Sequence, residues 1–270
     1  MRTFKEFITE ALRVNADNTV MYSTQSSRFG SSQEEIDTFP KLGMYHSNDA
    51  KYKGVEVFSC FVYKHSDVTT SILKAIKGQD GPYKMDEKTR LKFIQDAAKY
   101  AAKLVSSKKI DLILYPKSSS DLDARFVEEI VKLTNVAILP DAAVKKQIEI
   151  RDDNMQDMSV FLDVDNPDFF KLSTKSIKAL EQALIRSVRK NQESGKGAEI
   201  SLKDIYKAHG KFVKNFMDAT TNLNEFVVGQ NVLIVDDVAS SGSTIMEMSR
   251  LAKEAGAKTV TALTLFKNQS

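Results

Sequence analysis

The chain has 270 residues, 42% of them hydrophobic and 28% charged, with a formal charge of +3. That balance suits a folded globular protein and excludes a disordered or fibrous one; no window approaches the roughly 18 consecutive apolar residues of a spanning helix, so no membrane partner is expected. A single cysteine, Cys60, excludes an internal disulfide and a thiolate zinc site and points to a reducing, cytoplasmic setting, while His46, His65 and His209 lack metal-ligand spacing and a charge of +3 is too small to argue for nucleic acid.

The first 14 residues predict a short amphipathic helix, with Phe4, Phe7, Ile8 and Leu12 at helical spacing. Arg2, Lys5, Glu6, Glu10 and Arg13 break any apolar run there, so the segment does not read as a secretory signal. Residues 15–50 are rich in Asn, Ser, Thr, Gly and Asp and predict loops with one strand at Val20–Ser23. Val55–Tyr63 is β-branched and aromatic and reads as a strand. A short helix over Val68–Lys77 ends at Gly78, before the Gly81-Pro82 break. A longer helix follows over 87–105, with Leu91, Ile94, Ala98, Ala101 and Val105 on one face.

Ile110–Tyr115 is a nearly continuous apolar run, which suits a parallel strand covered on both faces. Asp121–Leu133 then reads as helix and Val136–Leu139 as a short buried strand. Ser173–Asn191 predicts a helix with Ile177, Leu180, Leu184 and Val188 inward. Ser201–Asp204 has the Ser-x-x-Asp capping form, and Ile205, Phe212 and Phe216 follow at helical spacing. The chain closes with a strand over Asn231–Val235, a helix over Ser243–Ala255 and a strand over Thr259–Phe266, an order that implies a right-handed crossover and a parallel sheet. Charge is uneven: Asp141–Phe170 carries three basic and eight acidic residues, Lys171–Lys214 eleven basic and four acidic. The two stretches could neutralise each other, form solvated helix faces, or present a basic face to an anionic partner.

The stretch that carries chemistry is Val232-Leu-Ile-Val-Asp-Asp-Val-Ala-Ser-Ser-Gly-Ser-Thr244. A buried strand ends in two adjacent carboxylates, Asp236 and Asp237, and a loop of small residues, Ala239–Thr244, opens directly into a helix. Ligands of open α/β sheets sit at the carboxyl ends of strands. Backbone N–H groups and hydroxyls at a helix N-terminus suit a phosphate, and Gly242 permits close approach. Carboxylates beside a phosphate site make sense when they accept hydrogen bonds from sugar hydroxyls or hold water around a divalent cation. The ligand so indicated is a sugar phosphate with free vicinal hydroxyls, together with magnesium.

These thirteen residues resemble the type I phosphoribosyltransferase signature for 5-phosphoribosyl-1-pyrophosphate: an apolar strand, two acidic residues and a Thr/Ser-Gly-x-Thr phosphate loop. The resemblance implies a Rossmann-like α/β core with a parallel sheet. It implies that Asp236 and Asp237 contact the ribose hydroxyls and reach Mg2+ through water, and that Ala239, Ser240, Ser241, Gly242, Ser243 and Thr244 wrap the 5′-phosphate. The polar loop after Ile110–Tyr115 corresponds to the family's pyrophosphate loop, with Lys117, Ser118 and Ser119 as its candidates and Lys117 stabilising the leaving group. The helix carrying Ile72-Leu73-Lys74 and Lys77, the Gly-rich break, the Ala-rich helix and Arg125-Phe126 after the loop are similar in layout to competence-type (ComF-like) members. The chain departs from them in lacking zinc-ribbon cysteines and in residues 165–214, which read as a helical insertion. The organisation expected is an N-terminal segment over 1–14, a hood region over 15–109 and a core over 110–270 that includes the insertion.

In purine-type relatives an aspartate three or four residues past the acidic pair acts as general base; Ala239 and Ser240 stand there and cannot take a proton near neutral pH. Three readings therefore stay open: a Mg2+-dependent transferase with a nucleobase or other acceptor, a sugar-phosphate-binding regulator without catalysis, and a phage internal head or host-takeover protein that uses the fold as a scaffold. The last rests on Met1–Arg13, which resembles the capsid-targeting leaders of tailed-bacteriophage internal head proteins, with Ile8-Thr9-Glu10 as the cleavage site before Ala11. A homodimer is compatible with the family, and no sequence-specific nucleic-acid partner is expected. Tyr63, Phe58, Tyr83 and Tyr115 are candidates for the floor under an acceptor base.

Overall fold

The computed structural model describes residues 11–14, 17–23, 42–47, 52, 54–64, 66–118, 120–148, 158–195, 197–202, 205, 209–239 and 241–269. Met1–Glu10, Ser119, Asp204 and Ser240 lie outside the described residues. In chain order the elements are β1 (Ala11–Val14), β2 (Val20–Ser23), β3 (Tyr45–Ser47), β4 (Glu56–Lys64), α1 (Asp67–Ile76), α2 (Glu87–Lys108), β5 (Leu112–Leu114), α3 (Leu122–Thr134), β6 (Ala137–Leu139), β7 (Ala143–Lys145), α4 (Thr174–Glu193), β8 (Met217–Ala219), α5 (Asn224–Val227), β9 (Asn231–Ala239), α6 (Ser243–Glu254) and β10 (Thr259–Gln269). No helix among the described residues is long and apolar enough to cross a membrane.

Six strands form the central sheet in the order β3-β4-β10-β9-β5-β6. All neighbours are parallel except the edge strand β3, which is antiparallel to β4. The α/β class and the mainly parallel sheet follow the sequence expectation. The apolar runs of β5 and β9 are buried on both faces because alternate side chains of one strand enter different layers, whereas Val136–Leu139, expected to be buried, forms the sheet edge with Ile138 40% exposed. Leu233 and Val235 of β9 join Ile113 and the inner faces of α1, α2 and α3. Val232 and Ile234 join Leu112, Leu114 and the inner faces of α4 and α6. On the first face the rings of Phe61, Phe93 and Phe266 stack at 4.8–5.7 Å between centroids.

The helix ends follow local chemistry. Ser66 and Thr69 form a reciprocal capping box at the start of α1, and Asp86 caps α2 by accepting from the Thr89 N–H at 2.9 Å. In α2 the expected inner residue Leu91 is 38% exposed, and Phe93 fills the core instead. Two other expectations are corrected. Ala11–Val14 is not helical: it pairs as a strand with β2, in antiparallel register from Ala11↔Ser23 to Val14↔Val20. Phe212 and Phe216 are not on one helix either; Gly210–Phe212 is a single 3-10 turn and Phe216 directly precedes β8. Burial there comes from packing, with both rings inside the second layer, so an apolar spacing of four residues marked depth and not helical turn.

The topology positions the site. From β5 the chain crosses through α3, on the first face, to β6; from β9 it crosses through α6, on the second face, to β10. β5 and β9 are neighbours, so the two crossovers leave the same junction in opposite directions. That is the switch point of an open α/β sheet, where the loops at the carboxyl ends diverge and leave a crevice.

Candidate functional site

β9 runs four residues further than the sequence suggests, and its ladder with β10 continues to Ala239↔Lys267. Its ladder with β5 stops at Leu114↔Ile234. Asp236 and Asp237 are therefore held rigidly by one neighbour while protruding past the end of the other, beside the β5–α3 loop. Strand alternation sends the two side chains to different sides. Asp237 meets Lys77, the residue that caps the C-terminus of α1, in an ion pair with 13% and 20% of the side chains exposed. Asp236 accepts the Asp237 N–H at 3.1 Å. Burial pushes the Asp236 carboxyl up to about 7, and the Asp237 charge adds to this against the pull of Lys77.

A third carboxylate completes the cluster. Asp123 lies in the first turn of α3 and is 2% exposed, and its Oδ1 has no hydrogen-bond partner among the described residues. Burial, followed by the charges of Asp237 and Asp236, raises it well above the usual carboxylate range, with Lys77 opposing. Among the aromatic candidates, Tyr63 on β4 has its phenol raised by burial and then by Asp237. Tyr115, directly after β5, is raised by burial and then by Asp141, Glu128 and Asp123. Tyr83 packs against the first apolar layer, and Phe58 stacks on His46 toward the other end of β4, under Lys108.

The loop between β9 and α6 has the expected strand-loop-helix setting. Gly242 is in the left-handed region (φ 80°) and, having no side chain, gives α6 no cap hydrogen bond of its own; the Ser243 N–H reaches the Ser241 hydroxyl at 3.4 Å. The room at Gly242 is already used by the fold: a Cβ there would stand 2.5 Å from Tyr52 Cε1. The Ser243 hydroxyl is also committed, donating to the Gly210 carbonyl at 3.2 Å and sitting 2.9 Å from the Ser241 hydroxyl. Ala239 is 1% exposed, so its side chain belongs to the core; Thr244 is partly exposed at the start of α6.

In the β5–α3 loop, Lys117 and Ser118 are exposed, and the Lys117 N–H is anchored to the Ala143 carbonyl at 2.8 Å. Lys117 makes no ion pair among the described residues; the cation that meets the acidic pair is Lys77. The loop is set by Arg90, which is 5% exposed. Its Nε donates to the Ile76 carbonyl at 2.7 Å, and its Nη2 donates to Asp121, which Arg125 Nε also meets at 2.6 Å. One buried guanidinium thus ties the end of α1, which carries Lys77, to the start of α3, which carries Asp123.

The structure brings Asp236, Asp237 and the loop before α6, which the sequence singles out, to one end of β9. The sequence assigns no site role to Asp123, which reads as an ordinary acid in a helix's first turn, and names Lys77 only in the layout of its helix, where it reads as an ordinary C-terminal cation. Arg90 had a signal: a cation in the first turn of α2 opposes the helix dipole and needs another reason to be there.

Other groups of the chain are placed differently. Cys60 is buried and burial pushes its thiol far up, which makes it a poor nucleophile. No three His, Cys, Asp or Glu side chains among the described residues are grouped to hold a metal by themselves. A cleft of about 470 Å3 lies at the opposite edge, around the amino ends of β4, β9 and β10, lined by Lys108, Lys253, Lys258 and Glu56 and by no residue of the motif.

Comparison with known proteins gives three findings. No curated protein matches the chain. Solved structures that match include a purine phosphoribosyltransferase from Pyrococcus horikoshii Ot3 (13% identity, TM-score 0.33, 65% of this chain and 83% of that one). They also include a hypoxanthine phosphoribosyltransferase from Staphylococcus aureus (11%, 0.33, 66% and 64%) and an adenine phosphoribosyltransferase from Thermoanaerobacter pseudethanolicus (14%, 0.31, 83% and 95%). A family model described as the phosphoribosyl transferase domain matches residues 171–270, the part of the chain that holds α4, β9 with its acidic pair, the loop after it, α6 and β10.

Proposed function

We propose that the chain binds 5-phosphoribosyl-1-pyrophosphate at the β5/β9 junction and transfers its phosphoribosyl group to an acceptor. The observation that carries this is the convergence, at one switch point, of an acidic pair at a strand end with a helix N-terminus opened by a glycine. The match of the phosphoribosyl transferase domain to residues 171–270 supports it. In this reading Asp236 and Asp237 receive the ribose hydroxyls, and Ser241, Gly242, Ser243 and Thr244, with Ala239 and Ser240, form the 5′-phosphate loop. The β5–α3 loop with Lys117, Ser118 and Ser119 faces the pyrophosphate. The reaction breaks the bond from the sugar's anomeric carbon to pyrophosphate, which leaves with the electron pair, and forms a bond from that carbon to the acceptor, which loses a proton.

The donor set fits Mg2+ held jointly with the ligand. Two adjacent carboxylates and a buried third supply negative charge, but no three side chains among the described residues close on an ion by themselves. When bound, the ion would neutralise charge on the diphosphate. Asp236 and Asp237 would hold it through water, and the ligand's own oxygens would complete its shell. An assay with labelled 5-phosphoribosyl-1-pyrophosphate, Mg2+ and a panel of nucleobases tests the reading by release of labelled pyrophosphate.

One observation favours a second reading. The place of a purine-type general base is taken by buried Ala239 and by Ser240. A chain that binds the sugar diphosphate but releases no pyrophosphate with any acceptor would be a sensor of that ligand.

A further inference from the structure

The site at the carboxyl edge holds more charge than a pair of ribose ligands requires. Lys77 is paired with Asp237, and both side chains are largely covered. Asp123 is 2% exposed, its Oδ1 has no partner among the described residues, and it feels the charges of Asp236, Asp237 and Lys77. A buried polar atom without a partner is costly, more so when it is charged. Such an atom marks a place where something else supplies the partner. Asp236, Asp237 and Asp123 together offer more carboxylate oxygens than the one ammonium of Lys77 serves, an arrangement that suits a cation. Lys77 is held beside these carboxylates by Arg90, which fixes the end of α1 against the start of α3. Its own side chain remains a flexible four-carbon stem that can serve two anions in turn.

We propose, resting on the sugar-diphosphate reading above, that Lys77 and Asp123 are part of the ligand site. Lys77 is an internal counter-cation: it occupies Asp237 in the empty chain, competes there with a divalent cation, and moves to the diphosphate when ligand and metal arrive together. Asp123 is the third carboxylate, holding the water shell of that metal. The device explains why the acidic cluster is not a metal site by itself. Metal alone must displace an ammonium, whereas metal with the diphosphate gives that ammonium a new partner. The site would then favour the metal complex of the ligand over either component.

The test is titration of the full chain with Mn2+ alone and, separately, with 5-phosphoribosyl-1-pyrophosphate plus Mg2+. Lys77→Met and Lys77→Gln should bind Mn2+ alone about tenfold more tightly than the parent and the sugar diphosphate about tenfold more weakly, the effect of removing one close positive charge. Asp123→Asn should weaken Mn2+ binding in the parent and in the Lys77→Met background, with melting curves showing that each variant folds. A purely structural lysine would lower both affinities together. Mn2+ affinity unchanged or reduced in both neutral Lys77 variants overturns the counter-cation role, and unchanged Mn2+ affinity in Asp123→Asn overturns the role of the third carboxylate. The site reading fails separately, if Asp236→Asn with Asp237→Asn binds the sugar diphosphate as the parent does.

Discussion

Asp236 and Asp123 are poor structural choices, because burial and then the neighbouring aspartate charges raise the cost of ionising each. The consequence is a stability that depends on pH in a stated direction. Asp236 keeps its proton up to about pH 7 in the folded chain but only to about 3.8 in the unfolded one. Between those values the folded chain binds more protons, so stability falls as pH rises, and above 7 the full penalty is present. Asp236→Asn should remove that penalty and stabilise the metal-free chain by about 1–3 kcal/mol at pH 8, with no gain near pH 4. Urea unfolding in a chelator at the two pH values measures this; equal effects at both would contradict it. Gly242 gives a second expectation at this scale. Its φ of 80° and the Tyr52 ring, only 2.5 Å from where a Cβ would stand, show that the glycine serves the fold as well as the ligand. Gly242→Ala should lower stability by about 1–3 kcal/mol, read as a drop in Tm, even without ligand.

Among the elements, α1, α2 and α3 meet at Arg90, and the site depends on that junction. Arg90→Met would leave Asp121 to Arg125 alone and the Ile76 carbonyl without its donor. Asp121 is half exposed and keeps Arg125, so the cost is about 1–3 kcal/mol, chiefly that of the buried Ile76 carbonyl left without its donor. The variant should melt earlier and bind the sugar diphosphate more weakly, while Arg90→Lys, which keeps charge but not the fork, should fall between. A variant with parental Tm and affinity would show that the junction does not position Lys77 and Asp123. This part of the site was hidden in the sequence for a physical reason. The strand-loop-helix around Asp236 is contiguous, so local rules find it: an apolar run, two acids, small residues, a helix start. Lys77, Arg90 and Asp123 come from three helices and meet only through the sheet order. Where local pattern and burial agree, as in β4, α1, α3, β9, α6 and β10, element type was legible. Where tertiary packing overrides local preference, as at Ala11–Val14, Leu91 and Phe212–Phe216, it was not.

At the scale of the whole molecule, residues 165–214 do not stand apart from the sheet. Leu180, Leu184, Val188, Ile200, Ile205 and Phe212 share one apolar layer with Val57, Leu112, Leu114, Val232 and Ile234. The basic residues of α4, including Lys175, Lys178, Arg186, Arg189 and Lys190, are exposed on its outer side. Burying a side chain of this kind contributes about 1.5–3 kcal/mol, so deleting the segment uncovers a sheet face that the chain cannot leave in water. A deletion joining residue 164 to residue 215 should be insoluble or lack a cooperative melt, and a soluble deletion that still binds ligand would contradict the shared layer. The central claim is that the β5/β9 junction is a sugar-diphosphate site. Calorimetry of the full chain with 5-phosphoribosyl-1-pyrophosphate and Mg2+ tests it most directly, run beside Asp236→Asn with Asp237→Asn. Saturable binding by the parent and none by a folded double variant is the predicted result; no binding by the parent, or equal binding by both, would contradict the account.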